Sequence, residues 1–231
     1  MRCHAKYHPL GLFLTCAVLL LPGCQSDGPQ EGSWYVFKDD ILTVQKDDGY
    51  YLISAVADNI VKVDFSEDGT PGEVYAPILD EPINVRFKHG RNTLTLTTNR
   101  VRVEVRRSPF GLSVKDFQGR QVIEEAGGYF RDGDTVRLRL ELKDDEALYG
   151  TGMRALPMNR RGQRLNCYNT PHYGYEYGAD DLNYAIPHVI SSREYMLLVD
   201  NPARAYFDLG HTRDNILEFG STLGNHVYYL I

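Results

Sequence analysis

The chain has 231 residues, 42% hydrophobic and 24% charged, proportions that exclude wholesale disorder and allow one large all-β domain or two small ones. Its formal net charge is −6; without residues 1–23, which hold Arg2 and Lys6 but no acid, 23 basic residues face 31 acidic ones. That balance argues against nucleic acid as a partner and suits a neutral ligand.

The first residues read as an address. Arg2 and Lys6 precede the apolar run "LGLFLTCAVLLL" (Leu10 to Leu21). As a helix this run is too short for a bilayer core of about 30 Å, but it fits the apolar segment of a secretory signal. It ends in "LPGC" (Leu21 to Cys24), which resembles a bacterial lipobox. The expectation is a lipoprotein signal peptide over 1–23, acylation of Cys24, and a polar tether over 24–33. The chain would then be exported and lipid-anchored, on the periplasmic side of a bacterial membrane or at the cell surface. Of four cysteines, Cys3 and Cys16 would leave with the signal and Cys24 would carry lipid, so Cys167 alone remains and no disulfide framework is expected.

Past the tether, apolar and polar residues alternate. "IVKVDFS" sets Val61, Val63 and Phe65 on one face, and "TLTLTT" repeats Leu94 and Leu96. "RVRVEVRR" repeats Val101, Val103 and Val105, and "TVRLRLEL" runs from Val136 to Leu142 in the same way. A period of two buries one face of a sheet and wets the other. "EDGTPG", "KHGRN", "RSPFG", "FQGRQ" and "RDGDT" read as turns between the runs. No amphipathic helical pattern of 12 residues follows residue 30. The expected fold is an antiparallel β-sandwich over 34–231.

Gly150, Gly152 and Ala155 fit a dinucleotide turn by spacing, but Pro157 breaks the helix that should follow, and no βαβ unit surrounds them. His188, His211 and His226 lack metal-ligand spacing, so neither a metal nor a cofactor is expected. Asp180 and Asp181 are adjacent and read as a solvated turn. Asp200, Asn201 and Asp208 read as turn fixers, Arg160 or Arg161 as a support for the loop that follows, and Cys167 as a packed thiol.

"NCYNTPHYGYEYGADDLNY" (166–184) stands apart, with five tyrosines and a histidine among glycines, asparagines and acids. Such rings are costly to leave in water and too irregularly spaced for one strand or helix face.

From "LYGTGMR" (148–154) through "NRRG" (159–162), "YNT" (168–170), "IP" (186–187), "LLVDNPARAYFDLG" (197–210) and "YYLI", the chain resembles the N-terminal domain of glycoside hydrolase family 31, the α-glucosidase family. Upstream the likeness is only of type. The resemblance implies a galactose-mutarotase-like sandwich, followed in that family by a (β/α)8 barrel that holds both catalytic carboxylates. A retaining glycosidase needs those carboxyls about 5–5.5 Å apart. The chain stops at Ile231 inside "HVYYLI", so the expectation is a fragment cut before its barrel, with no catalytic residue and no activity alone. The implied partners are that barrel and an α-linked oligosaccharide, whose glucosyl unit is hydrolysed or transferred; α-xyloside or α-galactoside specificity also fits. A stand-alone carbohydrate-binding lipoprotein is the alternative. The resemblance also gives the tyrosine segment a role, because in that family a long loop of this domain reaches over the barrel mouth, and sugar sites combine aromatic platforms with polar tips. Asn169, His172, Tyr173, Tyr175 and Glu176 are the candidate substrate-binding residues; the competing reading is that these rings pack the junction between sandwich and barrel. Two departures are plain: Met153 replaces the family's usual Glu, and Pro171 and His172 stand where several members place an Asp.

Overall fold

A computed structural model describes residues 30–46, 49–76, 82–171, 173–224 and 226–231, and among these no helix forms. The signal, Cys24 and most of the tether lie outside the described residues. The last residues assigned to the tether form a strand, β1 (Gln30–Gly32), which pairs with β2 (Tyr35–Lys38). The folded sandwich therefore extends upstream of residue 34.

Three antiparallel sheets make the fold. The first has nine strands: β1 and β2, then β3 (Ile41–Lys46), β4 (Gly49–Ala57) and β5 (Ile60–Ser66), then strands from the far end of the chain. The second has five strands, ordered β10-β9-β8-β7-β6: β6 (Arg86–His89), β7 (Thr93–Thr97), β8 (Val101–Arg106), β9 (Gly111–Asp116) and β10 (Gln121–Glu124). The third has five, ordered β11-β12-β18-β17-β14: β11 (Phe130–Asp132), β12 (Thr135–Glu141), β14 (Arg164–Cys167), β17 (Ala205–Leu209) and β18 (Ile216–Ser221). β13 (Leu148–Gly150), β15 (His188–Ser191), β16 (Tyr195–Val199) and β19 (Val227–Leu230) complete the first sheet, where β19 sits between β5 and β16. The four alternating runs read from sequence are β5, β7, β8 and β12. "EDGTPG" is not a hairpin turn: after it the chain runs on along the first sheet, where Gly72 bonds Asp64 and Tyr75 and Ala76 bond Asp200.

Period-two alternation explains the layers. Leu94, Leu96, Val103, Val105, Leu112 and Val114 of the second sheet are fully or almost fully buried, as are Leu138, Leu140, Phe207, Leu217 and Phe219 of the third. With Leu42, Ile53, Val63, Leu197 and Tyr228 of the first sheet they form one core. An isolated bridge, Glu125 to Leu140, joins the two five-stranded sheets edge to edge, so together they make the layer opposite the nine strands.

A polar knot occupies that junction. Glu125 is buried and accepts a hydrogen bond from the Tyr228 hydroxyl at 2.8 Å, across the layers. The Tyr51 hydroxyl accepts from the backbone N–H of Tyr129, and Lys46 donates to the Tyr129 carbonyl. Burial pushes the Glu125 carboxyl up to about 7, although the Tyr228 bond opposes the shift. Close by, His226 packs against Phe65 and Tyr129 with centroids at 6.4 and 5.9 Å, and burial pushes its imidazole down to about 4.

These shifts act in opposite senses on stability. The unfolded state sheds the Glu125 proton near 4.5 while the folded state keeps it to about 7, so stability from Glu125 is full below 4.5 and lost through about 7. For His226 the unfolded state binds a proton near 6.5 and the folded state only near 4, so its contribution is present above 6.5 and lost as pH falls to 4. We predict that Glu125→Gln, which removes the falling branch, makes stability rise with pH between about 4 and 6.5. At pH 8 the variant gains up to about 3 kcal/mol. His226→Gln should give the reverse slope; denaturant melts across this range check both, and parallel slopes would refute the assignment.

Candidate functional site

The aromatic segment is held at its base by backbone geometry. Gly150, Thr151 and Gly152 all have positive φ, of 97°, 70° and 92°, which turns the chain sharply out of β13. Only glycine fits at 152, because a Cβ would meet the Tyr184 carbonyl oxygen at 2.6 Å and the Ala185 Cα at 2.7 Å. The outgoing and returning arms then pair: Met153 N–H donates to Tyr184 at 3.0 Å, Ala155 N–H to Ala179 at 2.9 Å, and Gly178 N–H to Ala155 at 2.8 Å.

Arg154 fastens this base. Its guanidinium is buried and donates to three carbonyls: Thr151 at 3.2 Å, Asn166 at 2.6 Å, and Asp180. Burial lowers its pKa, and nearby Cys167, Asp181 and Asp180 oppose that shift. Sequence reading assigned loop support to Arg160 or Arg161. Arg160 bonds Pro157, whereas Arg161 bonds Lys143 and Glu146 at 3.1 and 3.0 Å and also reaches Asp214, clamping turns at the rear. Guanidinium-to-carbonyl bonds leave no residue pattern, so Arg154 was not legible.

Beyond this base the rings stand in water. Tyr173 is 92% exposed and Tyr177 81%, with Tyr168, Tyr175 and Tyr184 about half exposed. Glu176 is exposed beside them, and His172 lies outside the described residues. Asn169 differs: its Oδ1 accepts from Ala185 N–H at 2.7 Å, which closes the loop and leaves its amide nitrogen as the donor for a ligand.

Asn169 also lines a cleft of about 590 Å³, together with Tyr168, Pro187, Arg204 and, from far upstream, Tyr75. Tyr173, Tyr175 and Glu176 do not line it, so the structure divides the candidate set between a cleft wall and an exposed tip. The Arg204 guanidinium lies 5.0 Å from the Tyr168 ring centroid. Tyr75, 53% exposed, arrives on a strap that crosses the outer face of the nine-stranded sheet. Two buried carboxylates pin the strap: Asp64 accepts from Gly72 N–H at 2.8 Å, and Asp200 from Tyr75 and Ala76 N–H at 2.9 and 3.0 Å. Burial raises the Asp64 pKa, partly offset by the Gly72 bond. The Tyr229 phenol, buried on that face, is pushed up to about 12 by desolvation.

Asp200 thus holds a distant segment instead of its own turn. Asn201 and Asp208 do fix turns: Asn201 Oδ1 accepts from Ala203 N–H at 2.8 Å, and Asp208 Oδ1 from His211 and Thr212 N–H at 2.8 and 3.1 Å. Asp180 is exposed, but Asp181 is half-buried with Oδ1 unpartnered inside the loop. Cys167 is buried with its thiol pushed up to about 11 by desolvation, as a packed sulfur should be.

Among the described residues the chain is thus a helix-free antiparallel sandwich with a tyrosine-rich loop beside a cleft. Residues 50–208 match the glycosyl hydrolase 31 N-terminal galactose mutarotase-like domain, and the chain belongs to that family. A GH31 dextranase from Flavobacterium johnsoniae, solved with glucose, superposes with a TM-score of 0.79 at 25% identity, covering 85% of this chain and 25% of that one. A GH31 α-xylosidase from Xanthomonas citri aligns at 26% identity with a TM-score of 0.58, over 73% of this chain and 19% of its own. A 1,6-α-glucosyltransferase of Sporosarcina globispora is 27% identical over 107 residues, 41% of this chain and 8% of that protein. The chain therefore spans a small part of the relatives it matches.

The loop base is the testable element. Gly152→Ala should cost at least about 2 kcal/mol through the clash and the positive φ. Arg154→Met, which leaves three carbonyls without their donor, should speed proteolysis within 168–184 while the core keeps its cooperative melt. Cleavage elsewhere in the chain would contradict the assigned role.

Proposed function

We propose that this chain is the carbohydrate-binding, substrate-shaping N-terminal domain of a retaining α-glucosidase that hydrolyses or transfers α-glucosyl units of oligosaccharides. One observation carries the proposal: half-exposed Tyr75 and Tyr168 flank a 590 Å³ cleft whose wall also carries Asn169 and Arg204, while its remaining polar residues, Asp200 and Asn201, are engaged in holding the strap and a turn. A pyranose offers an apolar CH face and a rim of hydroxyls, and this wall supplies a ring for the first and donors for the second. Tyr173, Tyr175 and Glu176, exposed at the loop tip, extend the contact to further sugar units, with His172 beside them in sequence. The dextranase solved with glucose and the glucosyltransferase support an α-glucan as the ligand class.

In this reading the domain contributes no reacting carboxylate. Both lie on a following barrel, the domain's working partner, and the loop shapes the sugar and acceptor positions at its mouth. Water or a second sugar then takes the glucosyl group by the same double displacement. Export and anchoring through Cys24 are part of the proposal, supported by the "LPGC" sequence alone; radiolabelled palmitate that fails to enter the wild-type chain would remove that part.

Two measurements test the reading. Residues 24–231 alone should bind isomalto- and malto-oligosaccharides at millimolar concentration without turning over aryl α-glucosides. In the complete enzyme, Tyr75→Ala and Tyr168→Ala should each raise KM about 2- to 10-fold, the range expected for one lost ring contact. Tyr173→Ala should shift the ratio of hydrolysis to transfer. Unchanged kinetics and products in all three would leave the rings as packing residues.

A further inference from the structure

The second sheet carries another hollow, of about 420 Å³, that shares no lining residue with the tyrosine cleft. Its floor is one cross-strand row on the outer face. Lys115 of β9 lies opposite Arg102 of β8, Arg102 opposite Thr97 of β7, and Thr97 opposite Arg86 of β6. The inward partners of this row, Val103, Val114 and Leu96, are buried, so alternation turns the row outward.

This row is unfavourable as a folding arrangement. Directly opposite side chains have Cβ atoms about 5 Å apart, and like charges there destabilise a sheet. Lys115 is compensated by Glu104 at 2.6 Å. Arg102 forms no ion pair among the described residues; Arg86 reaches only the Thr98 carbonyl, at 3.4 Å; Arg100, in the adjoining turn, lies 6.0 Å from the Phe117 ring centroid. Asp116, which itself lines the hollow, and the nearby Asp58 are already engaged. Asp116 accepts from Arg120 Nε at 2.7 Å and from two backbone N–H groups, and Asp58 accepts from Asn99. Three uncompensated guanidinium groups therefore surround a hollow on a chain whose net charge is −6. At its edge stands Phe117, 66% exposed, the most exposed phenylalanine among the described residues.

We infer that this hollow binds an acidic saccharide. Arg86 and Arg102 present planar forks that match a carboxylate or sulfate in two-point contact, which an ammonium cannot do. Phe117 supplies the flat apolar face on which a pyranose stacks, and Arg100 closes the rim above it. A volume of this size holds one or two sugar rings. The site is independent of the tyrosine cleft and of any activity assigned to it: it gives the domain a second contact with glycan, selective for charge.

Calorimetric titration of the purified protein tests this with trigalacturonate, maltotriose and inorganic sulfate. Trigalacturonate should bind, and 300 mM NaCl should weaken it several-fold. The Arg86→Gln, Arg102→Gln double variant should weaken it at least about tenfold and show a smaller salt dependence, and Phe117→Ala should weaken it about threefold or more. Maltotriose binding should be unchanged in all these variants. Arg102→Gln should also raise Tm, because a like-charge contact disappears. The inference is overturned if trigalacturonate fails to bind, if the variants bind it as the wild type does, or if Tm falls in Arg102→Gln. Sulfate binding as tightly as trigalacturonate would overturn the saccharide assignment in favour of a simple anion site.

Discussion

The Glu125 carboxyl sits where three sheets meet, and the rest of the fold is arranged around keeping it there. It follows the last strand of the second sheet, bridges to β12 of the third, and takes the Tyr228 hydroxyl from β19 of the first. A carboxyl buried this deeply is unfavourable as an anion, so the structure holds it with a raised pKa and a phenol donor. The arrangement favours one register: β19 must lie between β5 and β16 for Tyr228 to reach it. A one-residue slip would already turn the apolar face outward; the buried acid and its donor also disfavour a two-residue slip, which keeps the same face inward.

That strand order places the walls of the cleft. With β19 and β16 fixed, Asp200 emerges where it can grip the strap, and Asp64 on β5 grips the same strap further along. Tyr75 is brought to the cleft by these two carboxylates and not by local turn chemistry. On the other wall, the twisted exit from β13 and the Arg154 guanidinium set the base of the tyrosine loop. Both walls are thus built from backbone groups bonded to buried charged side chains.

What the sequence disclosed follows from which interactions are local. Alternation over Ile60–Ser66, Thr93–Thr97, Val101–Arg106 and Thr135–Glu141 was legible because each strand carries its own inside and outside. The motifs from Leu148 to Gly210 disclosed the family, and the tyrosines disclosed where to look. The pairing of β19 with β5 and the strap that follows β5 were not legible, since each depends on contacts between remote segments. The same holds for Tyr75 and Arg204 at the cleft, and for the basic row, whose members line up only when the register of four strands is known.

The tyrosine loop joins a fixed root to a free crown. Residues 152–155 and their partners at 178–186 are locked by steric fit and carbonyl bonds, while Tyr173 and Tyr177 stand mostly in solvent and Tyr175 is half-exposed between them. Replacement in the crown should carry small folding penalties, whereas replacement in the root should not. Lineages descending from such a chain can therefore vary the outer surface of the loop in five or so positions, leaving the architecture beneath them intact.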